Sequence, residues 1–81
     1  MPQTFGERLR ELRKARGLNQ YELAEAVLGS ASRQAEISRW ESNRNEPSHI
    51  YLVKLAHHLS VSVDELLGIA SIFVSSAQAT A

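Results

Sequence analysis

The chain has 81 residues, nine basic and nine acidic side chains that give a formal net charge of +0, and no cysteine. A chain of this length holds one small core, which excludes a second domain, and the lack of cysteine excludes disulfides and thiolate zinc sites. Because no stretch approaches the roughly 20 apolar residues that span a bilayer, we expect a soluble, cytoplasmic protein.

A capping box starts the first predicted helix. Thr4 is followed three residues later by Glu7, and Gly17 is a suitable C-terminal stop, so the pattern predicts a helix from Phe5 to Arg16. Its expected core stripe is Phe5, Leu9, Leu12 and Ala15. The remaining surface carries five basic side chains, Arg8, Arg10, Arg13, Lys14 and Arg16, which form either a solvated face or a set of contacts to phosphates.

A second capping box, Asn19 with Glu22, starts the second predicted helix. The apolar residues of this helix recur at spacings of three and four, which predicts one buried face. These residues are Leu23, Ala24, Val27 and Leu28. Gln20 stands at the helix start, where amide hydrogens attract anions, so its side chain either caps the helix or helps to bind a phosphate.

The third predicted helix has an apolar face and a polar face. Ile37 and Trp40 lie three residues apart and should point inward. The polar residues that remain for the outer face are Arg33, Gln34, Glu36, Ser38 and Arg39. Such side chains suit a groove lined by hydrogen-bonding base edges. Ahead of this helix, Gly29 should end the second helix, and either Ser30 or Ser32 should cap the third.

Two further helices complete an all-α, five-helix fold. Asn43 suits the left-handed conformation that ends helices, and Pro47 with Ser48 should start the fourth helix. Ile50, Val53 and Ala56 are its expected inward residues, with Leu52, Leu55 and Leu59 as further candidates. Ser62 with Glu65 marks a short fifth helix. The three histidines, His49, His57 and His58, do not converge, so we expect no metal site and no cofactor.

The apolar tail after residue 68 divides the chain into residues 1–68 and 69–81. Leu66, Ile69, Phe73 and Ala77 form a helical stripe, which Ile72 and Val74 widen beyond what one small domain can cover. Our hypothesis is that Ile69, Ile72 and Phe73 pack against the same segment of a second subunit in a homodimer. The alternative is an unpacked remnant.

The order and spacing of seven residues resemble the phage-repressor-like (Cro/C1-type, XRE) helix-turn-helix family. They are Gln20, Leu23, Ala24, Ile37, Ser38, Glu41 and Pro47. The resemblance covers residues 5–68 and implies a lambda-repressor-like DNA-binding domain. It implies an ion pair between Arg13 and Glu41, and it places Gln34, Ala35 and Glu36 at the leading base-reading positions, followed by Ser38 and Arg39. The step from Gln20 to Ile37 is about three residues longer than is usual in the family.

These patterns together predict a DNA-binding transcriptional regulator that acts as a repressor or autoregulator and binds a palindromic operator as a dimer. Gln20, Asn43 and Arg44 would contact the DNA backbone, and Arg33 would join the base-reading set. Residues 1–44 carry eight basic against six acidic side chains, which permits a basic face without requiring one. The alternative is an antitoxin-type protein that binds a partner protein and autoregulates its own promoter. An enzyme is disfavoured, because no activated nucleophile or carboxylate–histidine cluster is present.

Overall fold

A computed structural model of the protein describes residues 3–68 as five α-helices and one 3₁₀ turn, with no strand among those residues. The α-helices are α1 (Phe5–Ala15), α2 (Gln20–Leu28), α3 (Gln34–Glu41), α4 (His49–Leu59) and α5 (Val63–Leu67). The 3₁₀ turn, Ala31–Arg33, lies between α2 and α3. The predicted all-α, five-helix fold is therefore confirmed.

Local capping interactions set the starts of α1 and α2. Thr4 Oγ1 accepts from Glu7 N at 3.2 Å, and Asn19 Oδ1 accepts from Glu22 N at 2.8 Å, with the glutamates bonding back in both boxes. The backbone N–H and the hydroxyl of Thr4 both donate to the Glu7 carboxylate, which lowers the pKa of Glu7 below its ordinary value. The capping boxes expected at Thr4 and Asn19 are confirmed; of the third, expected at Ser62, the structure shows the cap itself, in which Ser62 Oγ accepts from Glu65 N at 2.9 Å.

The extra residues before α3 form the 3₁₀ turn rather than an added α-helical turn. Gly29 ends α2 in the left-handed conformation, at a φ of 82°. Ser30 then caps the 3₁₀ turn by accepting from Ser32 N at 3.2 Å, and the turn leads directly into Gln34. The insertion therefore adds a 3₁₀ turn ahead of α3, and the α-helix itself begins at Gln34.

All five α-helices contribute to one apolar core. Its buried members are Leu9, Leu23, Ala24, Val27, Ile37, Trp40, Leu55, Ala56, Leu59 and Leu66. A fully buried leucine or isoleucine contributes about 1.5–3 kcal/mol, and every α-helix supplies at least one such residue to the core. The core thereby fixes α3 against the other helices and gives its outer face a defined direction.

The predicted inward face of α4 is wrong in its N-terminal half. Ile50 is 64% exposed and Val53 is 46% exposed, whereas Leu55 and Leu59 are fully buried. The apolar residues of α4 fall on more than one side of the helix, so the periodic signal is weak and the packing partners decide which stripe is buried.

The end of α1 also differs from the prediction. Ala15 is exposed, and α1 ends there rather than at Arg16. Arg16 instead donates from Nε to the carbonyl oxygen of Leu59 at 2.8 Å, so one of the basic side chains ties α1 to the end of α4. The last carbonyls of a helix lack partners within the helix, which makes them natural acceptors for such a side chain.

Residues 69–81 lie outside the part of the chain that the structure describes. The expectations for Ile69, Ile72 and Phe73 as dimer contacts, and for a protein partner bound through the tail, therefore remain predictions. Among residues 3–68, no helix has the length and apolar character needed to cross a membrane.

Candidate nucleic-acid interface

Helix α3 is held from inside by the two apolar residues expected from the sequence. Ile37 is fully buried and Trp40 is 2% exposed. The Trp40 ring packs against Tyr51 of α4, with ring centroids 5.8 Å apart at an interplanar angle of 42°. Because these anchors occupy one side of α3, the polar residues between and before them face outward. The inward placement of both residues is confirmed.

The outer face of α3 and the 3₁₀ turn carries the six predicted base-reading residues. Arg33, Ala35 and Arg39 are exposed, while Gln34, Glu36 and Ser38 are half-buried. The structure thus brings all six onto one short segment, with none fully buried. Their contacts to bases stay a prediction.

The Glu36 carboxylate has cationic and amide neighbours on its own protein. Arg39 Nη1 and Asn45 Nδ2 each lie 3.4 Å from one of its oxygens. Of the two arginines three residues away, the structure pairs Glu36 with Arg39 and not with Arg33. This pairing offsets the negative charge that Glu36 would otherwise present near a phosphate backbone.

A buried ion pair joins α1 to α3. Arg13 Nε lies 2.6 Å from Glu41 Oε2, Arg13 Nη2 donates to Glu41 Oε1 at 3.1 Å, and the two side chains are 9% and 5% exposed. Arg13 Nη1 also donates to the carbonyl oxygen of Leu18 at 2.9 Å. The bidentate geometry and the additional carbonyl satisfy most of the guanidinium donors, which a buried pair requires. The pair implied by the family resemblance is present.

Gln20 stands at the first position of α2, between the ion pair and α3. Its Nε2 donates to Glu41 Oε1 at 3.0 Å, and its Oε1 accepts from Gln34 Nε2. Gln20 lines a groove together with Arg10, Arg13, Ser38, Glu41 and Ser42. Its side chain is therefore part of an internal network, which the sequence pattern did not indicate. A backbone contact from Gln20 stays a prediction and would use its remaining amide hydrogen.

The start of α1 meets the end of α3 at a close backbone approach. A Cβ added to Gly6 would lie 2.2 Å from the carbonyl oxygen of Glu41. Gly6 N donates to Asn43 Oδ1 at 3.0 Å, and Asn43 Nδ2 donates to Thr4 Oγ1 at 3.0 Å. Sequence reasoning missed this contact, because it joins residues 37 and 39 positions apart.

The loop after α3 contains the other two predicted backbone-contact residues. Asn43 adopts the left-handed conformation expected for it, at a φ of 63°, and its side chain is engaged with α1. Arg44 is exposed, and its backbone N donates to the carbonyl oxygen of Arg39 at 2.9 Å. Arg44 thus lies directly after α3 with its side chain accessible. Phosphate contacts by both residues stay predictions.

The histidines and carboxylates of the described residues are dispersed over the domain. Among residues 3–68, no group of three or more histidine, cysteine, aspartate or glutamate side chains could hold a metal ion. His57 and His58 are exposed neighbours whose rings meet edge to face, with centroids 5.3 Å apart.

A helix held by a small core, joined through a turn to a preceding helix and presenting polar side chains outward, defines a helix-turn-helix domain. The chain belongs to the helix-turn-helix family of DNA-binding transcriptional regulators, of the phage-repressor-like, XRE type; the family pattern described as Helix-turn-helix matches residues 9–66. The resemblance seen in the sequence is thereby confirmed.

Two known proteins show the range of this similarity. The HTH-type transcriptional activator BcrR of Enterococcus faecalis is 41% identical over 63 residues, which are 78% of this chain and 29% of BcrR. The chain thus spans less than a third of that relative. The fold is similar to the P22 c2 repressor protein, solved in complex with synthetic operator 9T in the presence of Tl+. That match has a TM-score of 0.74 and 35% identity, and it covers 84% of this chain and 98% of the repressor chain.

Proposed function

We propose that this protein binds duplex DNA in a sequence-specific manner, with α3 in the major groove. In this proposal it regulates transcription as a repressor or autoregulator. The observation that carries the proposal is the division of α3 into two faces. Ile37 and Trp40 anchor one face in the core, while Ala35 and Arg39 stand exposed on the other and Arg33 is exposed in the preceding 3₁₀ turn. A similar chain, the P22 c2 repressor, was solved in complex with an operator, which supports the same use here.

The chemistry of the outer face suits direct readout of bases. An arginine can form a bidentate pair with guanine, which gives a role to Arg33 and Arg39, and a glutamine can pair with adenine, which gives one to Gln34. Ala35 offers a methyl group for thymine, and Ser38 can donate or accept. Glu36 is the remaining base-reading candidate, and its pairing with Arg39 leaves it as an orienting partner for that arginine.

Three residues flanking α3 would hold the DNA backbone. Helix α2 begins at Gln20, and the backbone N–H groups of its first turn point toward the solvent side of the helix end, where the helix dipole favours a phosphate. Arg44 is exposed directly after α3 and supplies a full positive charge. Asn43 uses its side chain to hold α1, so it sets the position of the loop and has one amide hydrogen left for a phosphate.

We propose a homodimer that binds a palindromic operator. Two copies related by a two-fold axis would place their α3 helices in major grooves about 34 Å apart. The exposed apolar side chains of Ile50 and Val53 on α4 and of Leu67 on α5 are available for a subunit contact. The apolar tail residues Ile69, Ile72 and Phe73, which lie outside the described residues, would add to it.

Selection of bound sequences from a random duplex pool tests the DNA-binding proposal. We expect a palindrome with half-sites centred about 10 base pairs apart. Arg39→Ala should relax preference at one base position per half-site, whereas Arg44→Ala should weaken all sequences alike and flatten the dependence of affinity on salt. Lys54→Ala, on α4, is the matched loss of charge that should change neither. A pool that gains no consensus would overturn the proposal.

Sedimentation of the full chain tests the dimer. Replacement of Ile69, Ile72 and Phe73 by serine should convert a dimer into a monomer. The consensus selected from the random pool should then shrink from a palindrome to a single half-site. A wild-type chain that sediments as a monomer at all concentrations, on and off DNA, would contradict the two-fold model.

A reporter gene under the selected operator tests the sign of regulation. A repressor lowers expression when the operator overlaps the promoter. We expect the protein's own promoter to contain the operator and to be repressed, and activation from that position would contradict the repressor proposal.

A further inference from the structure

A small cleft opens where the start of α1, the loop after α3, and helices α4 and α5 meet. Its volume is about 240 Å³, and its apolar lining consists of Phe5, Pro47, Leu52 and Leu67. We call it the α1–α5 cleft. The first three of these residues are half-buried, and Leu67 is 41% exposed. Covering them would remove apolar surface from water, which stabilises a folded domain.

The polar residues that line the α1–α5 cleft are engaged elsewhere or face solvent. Asn43 uses both its side-chain oxygen and its nitrogen to hold the start of α1. Asn45 Nδ2 lies 3.4 Å from the Glu36 carboxylate, and Glu46 is exposed. Sites for drug-sized ligands span about 300–1,000 Å³ and present convergent polar groups. Since the α1–α5 cleft is smaller and has few free polar groups, it suits apolar side chains better than a small polar ligand.

The described part of the chain ends beside this cleft. Leu67, the last residue of α5, lines the cleft, and Gly68 follows in the left-handed conformation at a φ of 82°. A Cβ added to Gly68 would lie 2.8 Å from Arg8 Nε, so the chain passes against α1 at this point. Arg8 and Phe5 are three residues apart and share a face of α1. The segment that follows Gly68 therefore starts at the edge of the cleft.

The sequence after Gly68 matches the cleft in composition and in reach. Residues 69–81 contain no charged side chain. Their large apolar residues are Ile69, Ile72, Phe73 and Val74. An extended chain covers about 3.3–3.6 Å per residue, so these side chains can reach a cleft that Leu67 already lines. A cavity of about 150 Å³ holds a benzene molecule, so the cleft has room for one aromatic ring or for two aliphatic side chains.

We propose that residues 69–74 fold back onto their own domain and place apolar side chains in the α1–α5 cleft. A short connection between two groups gives an effective concentration in the millimolar range, which favours the chain's own segment over that of a second copy. The segment supplies more apolar side chains than the cleft can hold, so others remain for the proposed subunit contact. The docked segment also supports the loop that carries Arg44, and this consequence rests on the proposed DNA-binding function.

Nuclear Overhauser effects in the full-length wild-type protein test the contact directly. We expect effects between the methyl groups of Leu52 or Leu67 and at least one tail side chain among Ile69, Ile72 and Phe73. In an equal mixture of isotope-labelled and unlabelled chains, effects between the two kinds of chain should be absent at these positions. Their presence would mean that a second copy fills the cleft, and the absence of any tail-to-cleft effect would overturn the docking itself.

A double-mutant cycle measures the same contact in the free energy of unfolding. Leu67→Ser removes a cleft side chain, and the combined Ile69→Ser, Ile72→Ser and Phe73→Ser variant removes the tail side chains. At concentrations where sedimentation gives a monomer, Leu67→Ser should shift the urea midpoint less in the tail variant than in the wild-type background. Tyr21→Ser, 57% exposed on α2, is the control and should shift it equally in both. Equal shifts for Leu67→Ser as well would contradict the proposal.

Binding to a duplex with a single half-site tests the consequence for DNA, because one domain occupies such a duplex. The combined serine variant should bind it about two- to fivefold more weakly than wild type, since the unsupported loop is in its binding arrangement for a smaller fraction of the time. Equal affinities would overturn the support of the loop. A wild-type chain that binds no duplex would overturn the proposed function, whereas the Overhauser effects and the unfolding cycle decide the docking without DNA.

Discussion

Helices α3 and α4 are both amphipathic, but they are attached to the domain in different ways. Polar bonds hold α3 at both ends: Gln34 at its start donates to Gln20, and Glu41 at its end pairs with Arg13 and has its carbonyl oxygen against Gly6. Apolar packing by Leu55, Ala56 and Leu59 holds the C-terminal half of α4, while Ile50 and Val53 in its N-terminal half are exposed. Hydrogen bonds and ion pairs are directional, whereas apolar burial is not. We therefore expect the orientation of α3 relative to the rest of the domain to vary less than that of α4.

Among the variants that test this difference between α3 and α4, removal of the Arg13 charge should have the largest effect on the free energy of unfolding. Arg13→Met leaves Glu41 buried without its partner, which should lower the free energy of unfolding by about 3–5 kcal/mol. Urea unfolding followed by circular dichroism measures the change. Arg10→Met, an exposed basic residue of the same helix, should stay within about 0.5 kcal/mol of wild type. Equal losses in the two variants would mean that the ion pair does not anchor α3.

Gly6→Ala should come next, because the added Cβ cannot fit against the Glu41 carbonyl without separating α1 from α3. Overpacking of this kind costs about 1–3 kcal/mol, and contact with backbone rather than a flexible side chain favours the upper end. Lys14→Ala, exposed on α1, is the control. A Gly6→Ala variant as stable as wild type would show that α1 and α3 can move apart freely.

Thr4→Ala should have a smaller effect, about 1 kcal/mol, since it removes the N-cap of α1 and the acceptor for Asn43 Nδ2. Thr4→Ser keeps both interactions and should be close to wild type. Chemical denaturation of the two variants side by side measures the difference, and indistinguishable midpoints would contradict a role for the hydroxyl.

The same hydroxyl affects the titration of Glu7. Its pKa is lowered first by the Thr4 backbone N–H and second by the hydroxyl. A lowered pKa in the folded state contributes stability that is present above the unfolded value and is lost as pH falls through the folded value. In Thr4→Ala the pKa of Glu7 should rise only partly, because the larger cause remains. Carboxyl chemical shifts measured against pH report the change, and a pKa unaltered in Thr4→Ala would exclude the hydroxyl as a cause.

The smallest effect on stability should come from the exposed side chains in the N-terminal half of α4. Ile50→Ser should change the stability of the monomer by no more than about 0.5 kcal/mol, because the side chain is 64% exposed. If the residue lies in a dimer contact, the same variant should lower the association constant instead, as measured by sedimentation. A large loss of monomer stability would show that this half of α4 is packed in solution.

Local signals in the sequence were sufficient for most of the fold. Thr4 and Asn19 act as caps through neighbours three residues away, and Gly29 ends α2 by its own conformational freedom. Ile37 and Trp40 were identified by helical spacing on an otherwise polar helix. These features depend on residues within one turn of each other, which is the range that sequence patterns record.

The features that escaped prediction depend on residues distant in sequence. Gly6 looks like an ordinary helix residue until the carbonyl of Glu41 is placed beside it. The bond between Gln20 and Gln34 requires the geometry of two helices and of the turn between them. In α4, Ile50 and Leu55 are equally apolar, so only the positions of the other helices decide which is buried. The Arg13–Glu41 pair was accessible because the family resemblance supplied it.

The environment of Trp40 gives the protein a built-in optical reporter. It is the chain's one tryptophan, it lies on the inner face of α3, and its indole nitrogen has no hydrogen-bond partner among residues 3–68. An indole in such a dry setting emits at shorter wavelength than one in water. A red shift in emission would therefore signal that α3 no longer packs against the core. Intrinsic fluorescence can thus follow this helix during unfolding or titration with DNA without an added label.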